Sequence, residues 1–265
     1  MTRTPLSAVV TTWNNATTLG RCLASLSFAD EIVVVDSGST DRTIEIARAA
    51  GARLVHHPFS GYGAQKQYAV DRAAHDWVLL LDADEVVTVE LAAEIMALLA
   101  TPPPQPAWRC RRREQLFWRW QRPGTRLVDA IRLFDRRAAR LATTPIHAAV
   151  AAAGKAGRLK GVILHYGETD LHLKVGKINA YTSGTVRAAP GRRFLRLRML
   201  FYPTFAFWRE YLLRRQFVNG WAGFIAARSS AFQAFLKDAK RYDDRQPRAP
   251  DLIDSRRARY HEPPV

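Results

Sequence analysis

The feature that most constrains the fold is a run of five apolar residues that stops on two carboxylates. The run Trp77–Leu81 is followed by Asp82 and, one residue later, by Asp84. Apolar runs of this length, bounded by polar residues, are typical of a buried strand in a parallel sheet. Ligands of open α/β sheets bind beyond the carboxyl ends of the strands, so the acidic pair lies where a site is expected. The alternative is that one carboxylate caps the next helix and the other is solvated.

Three acids within four residues also indicate what this position could bind. The side chains of Asp82, Asp84 and Glu85 repel one another unless a cation or another partner lies between them. Hard divalent ions prefer oxygen ligands of this kind. We therefore expect Mg²⁺ or Mn²⁺ beside a diphosphate group at this point of the chain.

Upstream of this run, strand and helix patterns alternate. Each predicted strand is β-branched or apolar, and a helical spacing of apolar residues separates it from the next. Such alternation is typical of βαβ units and of a parallel sheet covered on both faces. The predicted strands are 6–12, 31–36, 51–56 and 77–82, and helices are predicted at 18–27, at 43–50 and through 68–70.

Polar residues follow three of these strands, at 14–15, 36–41 and 82–84. Their convergence favours a nucleotide pocket over three independent caps. In the second segment, Gly38 can take a positive φ, and we expect Ser39 or Thr40 to cap the helix that follows. No G-x-G-x-x-G or P-loop pattern follows the first strand, which argues against dinucleotide binding.

Four segments, taken together, resemble a known family. They are Ser7–Asn14, Asp30–Asp41, Gly63–Ala69 and Trp77–Glu85, and their order and spacing resemble those of the family-2 glycosyltransferases of GT-A fold. The resemblance implies an α/β fold of the nucleotide-sugar-binding, Rossmann-like type. Its sheet would be mainly parallel and flanked by helices.

The resemblance also implies roles for individual residues and a nucleotide-sugar donor. It places Asp36 on the base, Asp82 near the ribose and Asp84 on a divalent metal, Mg²⁺ or Mn²⁺, at the diphosphate. Asp82 is a second candidate ligand of that metal. The remaining residues implied beside the nucleotide are Thr11, Asn14 and Lys66.

The next stretch suggests a helix and then a basic segment. Residues 89–100 predict a helix capped by Thr88, with Leu91, Ile95 and Leu98 on one face. The proline cluster 101–106 ends it and is the best candidate boundary, separating a nucleotide-binding half, 1–101, from an acceptor half, 107–169.

Residues 108–126 interleave seven arginines with aromatic residues, among them Phe117, Trp118 and Trp120. Arginine binds phosphate or carboxylate bidentately, and aromatic faces stack on sugars or bases. A solvated basic loop and a site for single-stranded nucleic acid are the alternatives.

Three later segments extend the resemblance to a subgroup. Ile131–Phe134, Pro145–Ala148 and Gly157–Tyr166 resemble enzymes that add a sugar, often glucose, to the inner core of lipopolysaccharide. The resemblance implies that His165 completes the metal shell. In that subgroup an acidic residue usually follows the histidine that corresponds to His147, whereas this chain has Ala148.

The identity of the catalytic base is therefore left open by the sequence. Either His147 takes the proton, or Asp129 or Asp135 does, or the protein is a poor catalyst. We rank His147 above Asp129, because Arg126 and Arg132 near Asp129 would weaken it as a base.

The C-terminal part predicts helices rich in arginine over 170–243 and a disordered tail over 244–265. Apolar residues between Leu197 and Leu212 form a stripe interrupted by Pro203. Basic helices of this composition lie in membrane interfaces, drawn by anionic lipid. The alternative is a helix packed on the catalytic domain, 1–169, with a charged outer face.

The net charge and the two cysteines limit which binding partners and which cellular compartment are expected. The net charge is +16 and the isoelectric point about 10.6, which favours an anionic partner. Cys22 and Cys110 suggest neither a disulfide framework nor a zinc site. Neither a signal peptide nor a membrane span is expected. We expect a cytoplasmic protein that associates peripherally with the inner membrane.

These observations predict an inverting glycosyltransferase that acts on an anionic glycolipid, the lipopolysaccharide inner core. One alternative keeps the fold but transfers the sugar to polyprenyl phosphate. A basic nucleic-acid-binding protein is disfavoured, because acids at the mouth of a groove repel phosphate.

Overall fold

A computed structural model describes residues 3–142, 149–167, 169–188 and 193–246. The chain forms two compact units. The sheet unit comprises Met1–Gln115 and Leu127–Gly167, and the helical unit comprises Leu116–Arg126 and Glu168–Val265. The proline cluster 101–106 thus lies within the sheet unit, and 116–126 groups with the C-terminal helices.

The first half of the sheet unit follows the predicted alternation. Its four parallel strands have the order β3-β2-β1-β4. The strands are β1 Leu6–Thr12, β2 Glu31–Asp36, β3 Arg53–His56 and β4 Trp77–Asp82, and the helices between them are α1 Leu19–Ala24, α2 Thr43–Ala49 and α3 Tyr62–Asp71.

The second half extends this sheet with both strand directions. Beyond β4 the order is β8-β6-β11-β5; β6 and β11 are parallel, whereas β4–β8, β6–β8 and β5–β11 are antiparallel. The elements are β5 Glu85–Val87, α4 Val89–Leu99, β6 Ala107–Leu116, β7 Arg119–Trp120 in the helical unit, β8 Val128–Asp135, β9 Ala139–Leu141, β10 Val150–Ala152 and β11 Ala156–His165. The α/β prediction with a mainly parallel sheet flanked by helices is confirmed.

The core lies on both faces of the sheet, as predicted. On β4, Leu79 and Leu81 face a layer that includes α1 and α4, whereas Val78 and Leu80 face α3. All four are buried, and full burial of a side chain of this size stabilises the fold by about 1.5–3 kcal/mol. The continuous apolar run is thus explained by a strand covered from two sides, whose carboxyl end is held rigidly.

Two details of the helices differ from expectation. Neither Ser39 nor Thr40 caps α2, which begins after Arg42; the Asp41 carboxylate instead accepts a hydrogen bond from the Thr43 amide at 3.0 Å. Ser39 is occupied in the preceding turn. The predicted cap of α4 is confirmed, since Thr88 accepts from the Leu91 amide at 3.3 Å. The fully buried face of α4 consists of Leu91, Ile95 and Leu99, with Leu98 only partly buried.

The basic segment after the proline cluster is not a solvated loop over 107–116. It forms β6, which pairs with β8 on one side and with β11 on the other. Several of its arginines bind groups within the sheet unit. Arg111 donates to the Lys160 carbonyl and Arg109 to the Asp129 carbonyl.

The helical unit confirms the predicted helical, basic C-terminal region. Both α5 and α6 pack along α7, and α6 continues through Pro203. In its interior, the buried Asp238 carboxylate binds Arg198 at 2.9 Å and Arg241 at 3.2 Å. The elements are α5 Leu171–Ala188, α6 Leu195–Trp208, a π-helical turn Arg209–Leu213, a 3₁₀ turn Gln216–Asn219 and α7 Gly220–Asp243.

Within the part of the chain that the structure describes, no helix is long and apolar enough to cross a membrane. Cys22 and Cys110 are both free and buried, in agreement with the absence of a predicted disulfide. The tail from residue 247 onward lies outside the described residues.

Candidate active site

The predicted nucleotide residues meet at one edge of the sheet. Across β1 and β4, Thr11 is opposite Asp82, and across β1 and β2, Thr12 is opposite Asp36. Parallel pairing therefore brings three strand ends together, as the convergence of polar segments predicted.

Asp36 organises the turn after β2. Its side chain is 1% exposed, and its Oδ2 accepts hydrogen bonds from the amides of Gly38 at 2.8 Å and Ser39 at 2.9 Å. The Ser39 hydroxyl donates to the other oxygen. Gly38 has a φ of 98°, which is strained for other residues, so the glycine makes this tight turn possible.

Asn14 joins the loop after β1 to this turn. Its backbone is left-handed, with a φ of 51°, and its amide donates to the Ser39 hydroxyl at 2.8 Å. The Thr40 amide donates to the Asn14 side-chain oxygen, also at 2.8 Å. These bonds fix the position of the two loops at the predicted nucleotide site.

Asp82 carries a negative charge that two cations stabilise. Lys66, from α3, forms an ion pair with Oδ1, and Arg132 Nη2 lies 3.6 Å from Oδ2. Burial alone would raise the pKa of Asp82, but the charges of Lys66 and Arg132 outweigh burial and hold that pKa well below its usual range. Lys66 and Asp82, which the resemblance placed beside the nucleotide, are thus direct neighbours.

Glu85 is a buried carboxylate that binds the backbone amide of Asp82. It is 0% exposed; its Oε2 accepts from the Asp82 amide at 3.0 Å, and its Oε1 lies 2.6 Å from Arg132 and 3.0 Å from Arg112. A buried carboxylate is tolerated only when it is paired and hydrogen-bonded, as this one is. The cluster fixes the backbone on which Asp82 and Asp84 are carried.

Asp84 faces His165 through the pairing of three strands. The register places His165 beside Glu114 of β6 and beside Glu85 of β5. His165 Nδ1 binds the Glu114 carboxylate, while Nε2 lies 3.2 Å from Asp84 Oδ2. The Tyr166 amide also donates to the Asp84 carbonyl at 2.8 Å.

This arrangement determines the charge of the histidine. Burial alone would lower the pKa of His165, but hydrogen bonds to Asp84 and Glu114 and the charges of both carboxylates raise it to about 10. Burial alone would raise the pKa of Glu114, yet His165 and Arg112 lower it to about 2. The histidine is therefore a cation held between two carboxylates.

Asp84 Oδ2 and His165 Nε2 fit the implied divalent metal as part of its coordination shell. The described residues contain no group of three or more His, Cys, Asp or Glu side chains placed to hold an ion. Asp84 Oδ2 and His165 Nε2 nevertheless face one another, and the bond from Glu114 to Nδ1 fixes the ring as carboxylates do behind metal-ligating histidines. Magnesium sites commonly use one or two protein ligands and complete the shell with substrate phosphates and water.

The structure describes two of the three candidate bases. Asp129 Oδ2 lies 2.6 Å from Arg158 and 3.4 Å from Arg109, so its charge is already paired. Asp135, at the end of β8, binds Arg137 at 2.7 Å. The preferred candidate, His147, lies outside the described residues together with Ala148.

Several residues of this site were not singled out as site residues from the sequence. The side chains concerned are Glu85, Arg112, Glu114 and Arg132. Glu85 has a local signal, its place directly after the two aspartates. Glu114 has none, because only the pairing of β6 with β11 brings it to His165.

Comparison with known proteins agrees with this geometry. Residues 7–167 match the family described as "Glycosyl transferase family 2". The chain belongs to this family. The GT-A fold and the glycosyltransferase activity predicted from the four motifs are thereby confirmed.

Two relatives of this family-2 glycosyltransferase match along most of their length. The lipopolysaccharide core biosynthesis glycosyltransferase LpsC of Rhizobium meliloti is 32% identical over 248 residues, which cover 90% of this chain and 92% of LpsC. The uncharacterized glycosyltransferase RT0209 of Rickettsia typhi is 30% identical over 250 residues, covering 89% of this chain and 86% of the relative.

Among solved structures, glucosyl-3-phosphoglycerate synthase from Mycobacterium tuberculosis, in complex with Mg²⁺ and uridine diphosphate, has 25% sequence identity. The match covers 43% of this chain and 44% of that chain, with a TM-score of 0.36. A likeness this weak supports no conclusion about the site.

Proposed function

We propose that this family-2 glycosyltransferase moves a hexose such as glucose from a nucleoside-diphosphate sugar to an anionic glycolipid, the inner core of lipopolysaccharide, with inversion at the anomeric carbon. The observation that carries the proposal is the position of Asp36 and Asp82 at the ends of β2 and β4, which flank β1 in the sheet, together with the facing pair of Asp84 and His165. The similarity to LpsC supports the acceptor class.

The donor half of the site would use the residues of the parallel strands. Asp36 is fixed by its turn: Oδ2 accepts from two amides and Oδ1 from one hydroxyl, which leaves one lone pair on Oδ1 to accept from a nucleotide base. Asp82 would take a ribose hydroxyl. Lys66, beside Asp82, places a cation where the diphosphate would lie, with Thr11 and Asn14 lining the same edge.

Asp84 and His165 would hold the divalent metal, Mg²⁺ or Mn²⁺. When bound, the ion supplies Lewis-acid stabilisation of the negative charge that develops on the departing diphosphate. His165 must give up its proton to act as a ligand, and Glu114 would keep Nε2 directed at the metal.

Inversion requires a group that removes the proton of the attacking acceptor hydroxyl. His147 remains the preferred candidate, since the Asp129 carboxylate is already occupied by Arg158 and Arg109. The excess of arginine supports an anionic acceptor and a peripheral position at the cytoplasmic surface of the inner membrane.

The test is a donor screen with the full-length protein. Nucleotide sugars are incubated singly with Mn²⁺ or Mg²⁺, and the release of nucleoside diphosphate is measured with lipopolysaccharide truncated to its inner core, with polyprenyl phosphate or without acceptor. We expect one donor to be turned over, with stimulation by the core lipid. Transfer to polyprenyl phosphate alone would overturn the proposed acceptor, and no turnover of any donor would overturn the proposed activity.

A further inference from the structure

The outer face of α6 is apolar although it is exposed. Large side chains recur every three or four residues from Phe194, just before the helix, to its last residue, Trp208. Residues at this spacing share one helix face. Their exposed fractions range from 50% at Trp208 to 74% at Phe194. We call this face the α6 row, and it consists of Phe194, Leu197, Phe201, Phe205 and Trp208.

Another face of α6 fills the interior of the helical unit, and of the row Trp208 makes ring contacts with Phe207 and Tyr211. The face of α6 that contributes to the interior carries Leu195, Ala206 and Phe207, all of which are buried. Phe207 stacks on Tyr211 and meets Phe224 of α7 edge to face. The helix thus has two apolar faces, and only the inner one is covered within its unit.

The border of the row is cationic. Exposed arginines lie just before and just after α6, at Arg193, Arg214 and Arg215, and Arg196 is exposed within it. The single acid between residues 193 and 220 is Glu210, which is buried and bound by Arg209 and Arg214. Among residues 193–220, which include the row, the exposed charged side chains are therefore all positive. Arg196 also lies over the ring of Tyr242 in α7, which the exposed Asp243 and Asp244 follow.

This combination identifies the kind of partner. A helix with large apolar side chains and surrounding arginines matches a bilayer surface, where apolar groups enter the acyl boundary and guanidinium groups bind lipid phosphates. A second copy of the chain fits less well, because two cationic borders would then face each other.

We propose that α6 lies in the surface of an anionic bilayer with the α6 row inserted and the flanking arginines on the phosphates. This makes specific the membrane association included in the proposed function, and it can be tested without any transfer reaction. Because insertion adds apolar burial to charge attraction, salt should weaken binding without abolishing it.

The first experiment compares two triple variants of the full-length protein. Leu197→Ser, Phe201→Ser and Phe205→Ser remove the centre of the row. Control substitutions at three exposed apolar positions of α5, of which the middle one lies on the face opposite the other two, remove exposed apolar surface from the same unit. These are Leu171→Ser, Leu173→Ser and Val175→Ser.

Binding is measured by flotation with vesicles of phosphatidylcholine alone or mixed with phosphatidylglycerol, at low and high salt. We expect wild type to bind the anionic vesicles and the row variant to bind them at least about tenfold more weakly, with the control changed by no more than about twofold. Circular dichroism must show that both variants remain folded. Equal losses in both variants, or none in the row variant, would overturn the proposal.

A second experiment tests insertion itself. Cys22 and Cys110 are buried, so an environment-sensitive dye can be attached selectively to a Phe201→Cys variant. Its emission should shift to the blue on anionic vesicles and be quenched by spin-labelled lipid, whereas a dye at Val89→Cys, on the sheet unit, should not respond. A row variant that lost only self-association, with wild type failing to bind vesicles, would show that copies of the chain cover the row. Transfer of sugar to a soluble core oligosaccharide in that case would leave the proposed function intact.

Discussion

The acidic edge of the sheet unit and the outer face of α6 depart from ordinary protein architecture in opposite directions. At the sheet edge, charged groups such as Glu85 and Arg132 are buried, and each finds a partner within the unit. On α6, large apolar groups such as Phe201 are exposed. Buried charge and exposed apolar surface are the two features that most often mark function.

The difference also concerns precision. The sheet edge orients single atoms, such as Oδ2 of Asp84 toward Nε2 of His165, by hydrogen bonds from neighbouring strands. The α6 row offers only a surface and a charge, which suits a fluid partner such as a bilayer. We expect point substitutions to act strongly at the edge and gradually along the row.

The largest effect is expected at Asp84. Replacing Asp84 with Ala removes a proposed metal ligand and should lower the transfer rate by at least about a thousandfold, since metal stabilisation is worth several kcal/mol. The fold should remain intact, because the Asp84 side chain faces His165 rather than the buried cluster of Glu85, and the bond between its carbonyl and the Tyr166 amide does not depend on the side chain. Glu90→Ala, an exposed acid of α4, serves as the control. Transfer by Asp84→Ala at the wild-type rate would contradict the assignment.

Glu85 should act on stability. The change Glu85→Gln leaves Arg132 and Arg112, whose side chains are 11% and 25% exposed, without their shared carboxylate, and we expect a loss of about 3 kcal/mol in the free energy of unfolding. Urea denaturation measures it. Glu45→Gln, which breaks an exposed pair with Arg42, should cost less than about 1 kcal/mol. Equal costs for the two variants would show that the buried cluster is not what holds this edge.

Glu114 should act on metal affinity. Glu114→Gln preserves the shape of the side chain but removes the charge that holds Nδ1 of His165, so the affinity for Mn²⁺ should fall about 10- to 100-fold. Titration calorimetry in the presence of a nucleoside diphosphate measures this, with Glu90→Gln as the matched control. An unchanged affinity would mean that the hydrogen bond between His165 Nδ1 and Glu114 does not contribute to metal binding.

A pH dependence of the metal-free protein is also expected. Because the folded-state pKa of His165 is raised from its usual 6.5 to about 10, its stabilising contribution is complete below pH 6.5 and is lost as the pH rises toward about 10. The difference in unfolding free energy between wild type and His165→Gln should therefore shrink from pH 6 to pH 10. A difference that stays constant over this range would contradict the proposed charge on the histidine.

Sequence patterns predicted the parts of this molecule that depend on neighbours along the chain. The apolar runs of β1, β2 and β4 predicted strands, and Asp36 and Asp82 follow from the ends of those runs. The link from Glu114 to His165 spans 51 positions and depends on strand register, which no local pattern contains. Thr40 shows a similar limit, because Asn14, which accepts from its amide, lies 26 positions away. Ser39 was wrongly expected as a cap for a local reason, since its hydroxyl donates to Asp36.

The arginines of 108–126 show a second limit. Composition predicted a binding surface or a loop, whereas pairing between β6, β8 and β11 commits Arg112 and Arg109 to internal carboxylates. At Pro203 the sequence indicated an interruption of the apolar stripe, whereas α6 and the α6 row continue on both sides of this residue.

A metal-assisted nucleotide-sugar site at the sheet edge is tested most directly by the binding of nucleoside diphosphates to wild type and to Asp84→Ala. Calorimetric titrations with uridine, guanosine, adenosine and cytidine diphosphate are run with Mn²⁺ or with EDTA, and a single-stranded oligonucleotide is titrated alongside. We expect one diphosphate to bind wild type only when Mn²⁺ is present and not to bind Asp84→Ala. Binding that is equal with EDTA, or that Asp84→Ala retains, or tight binding of the oligonucleotide alone, would contradict it.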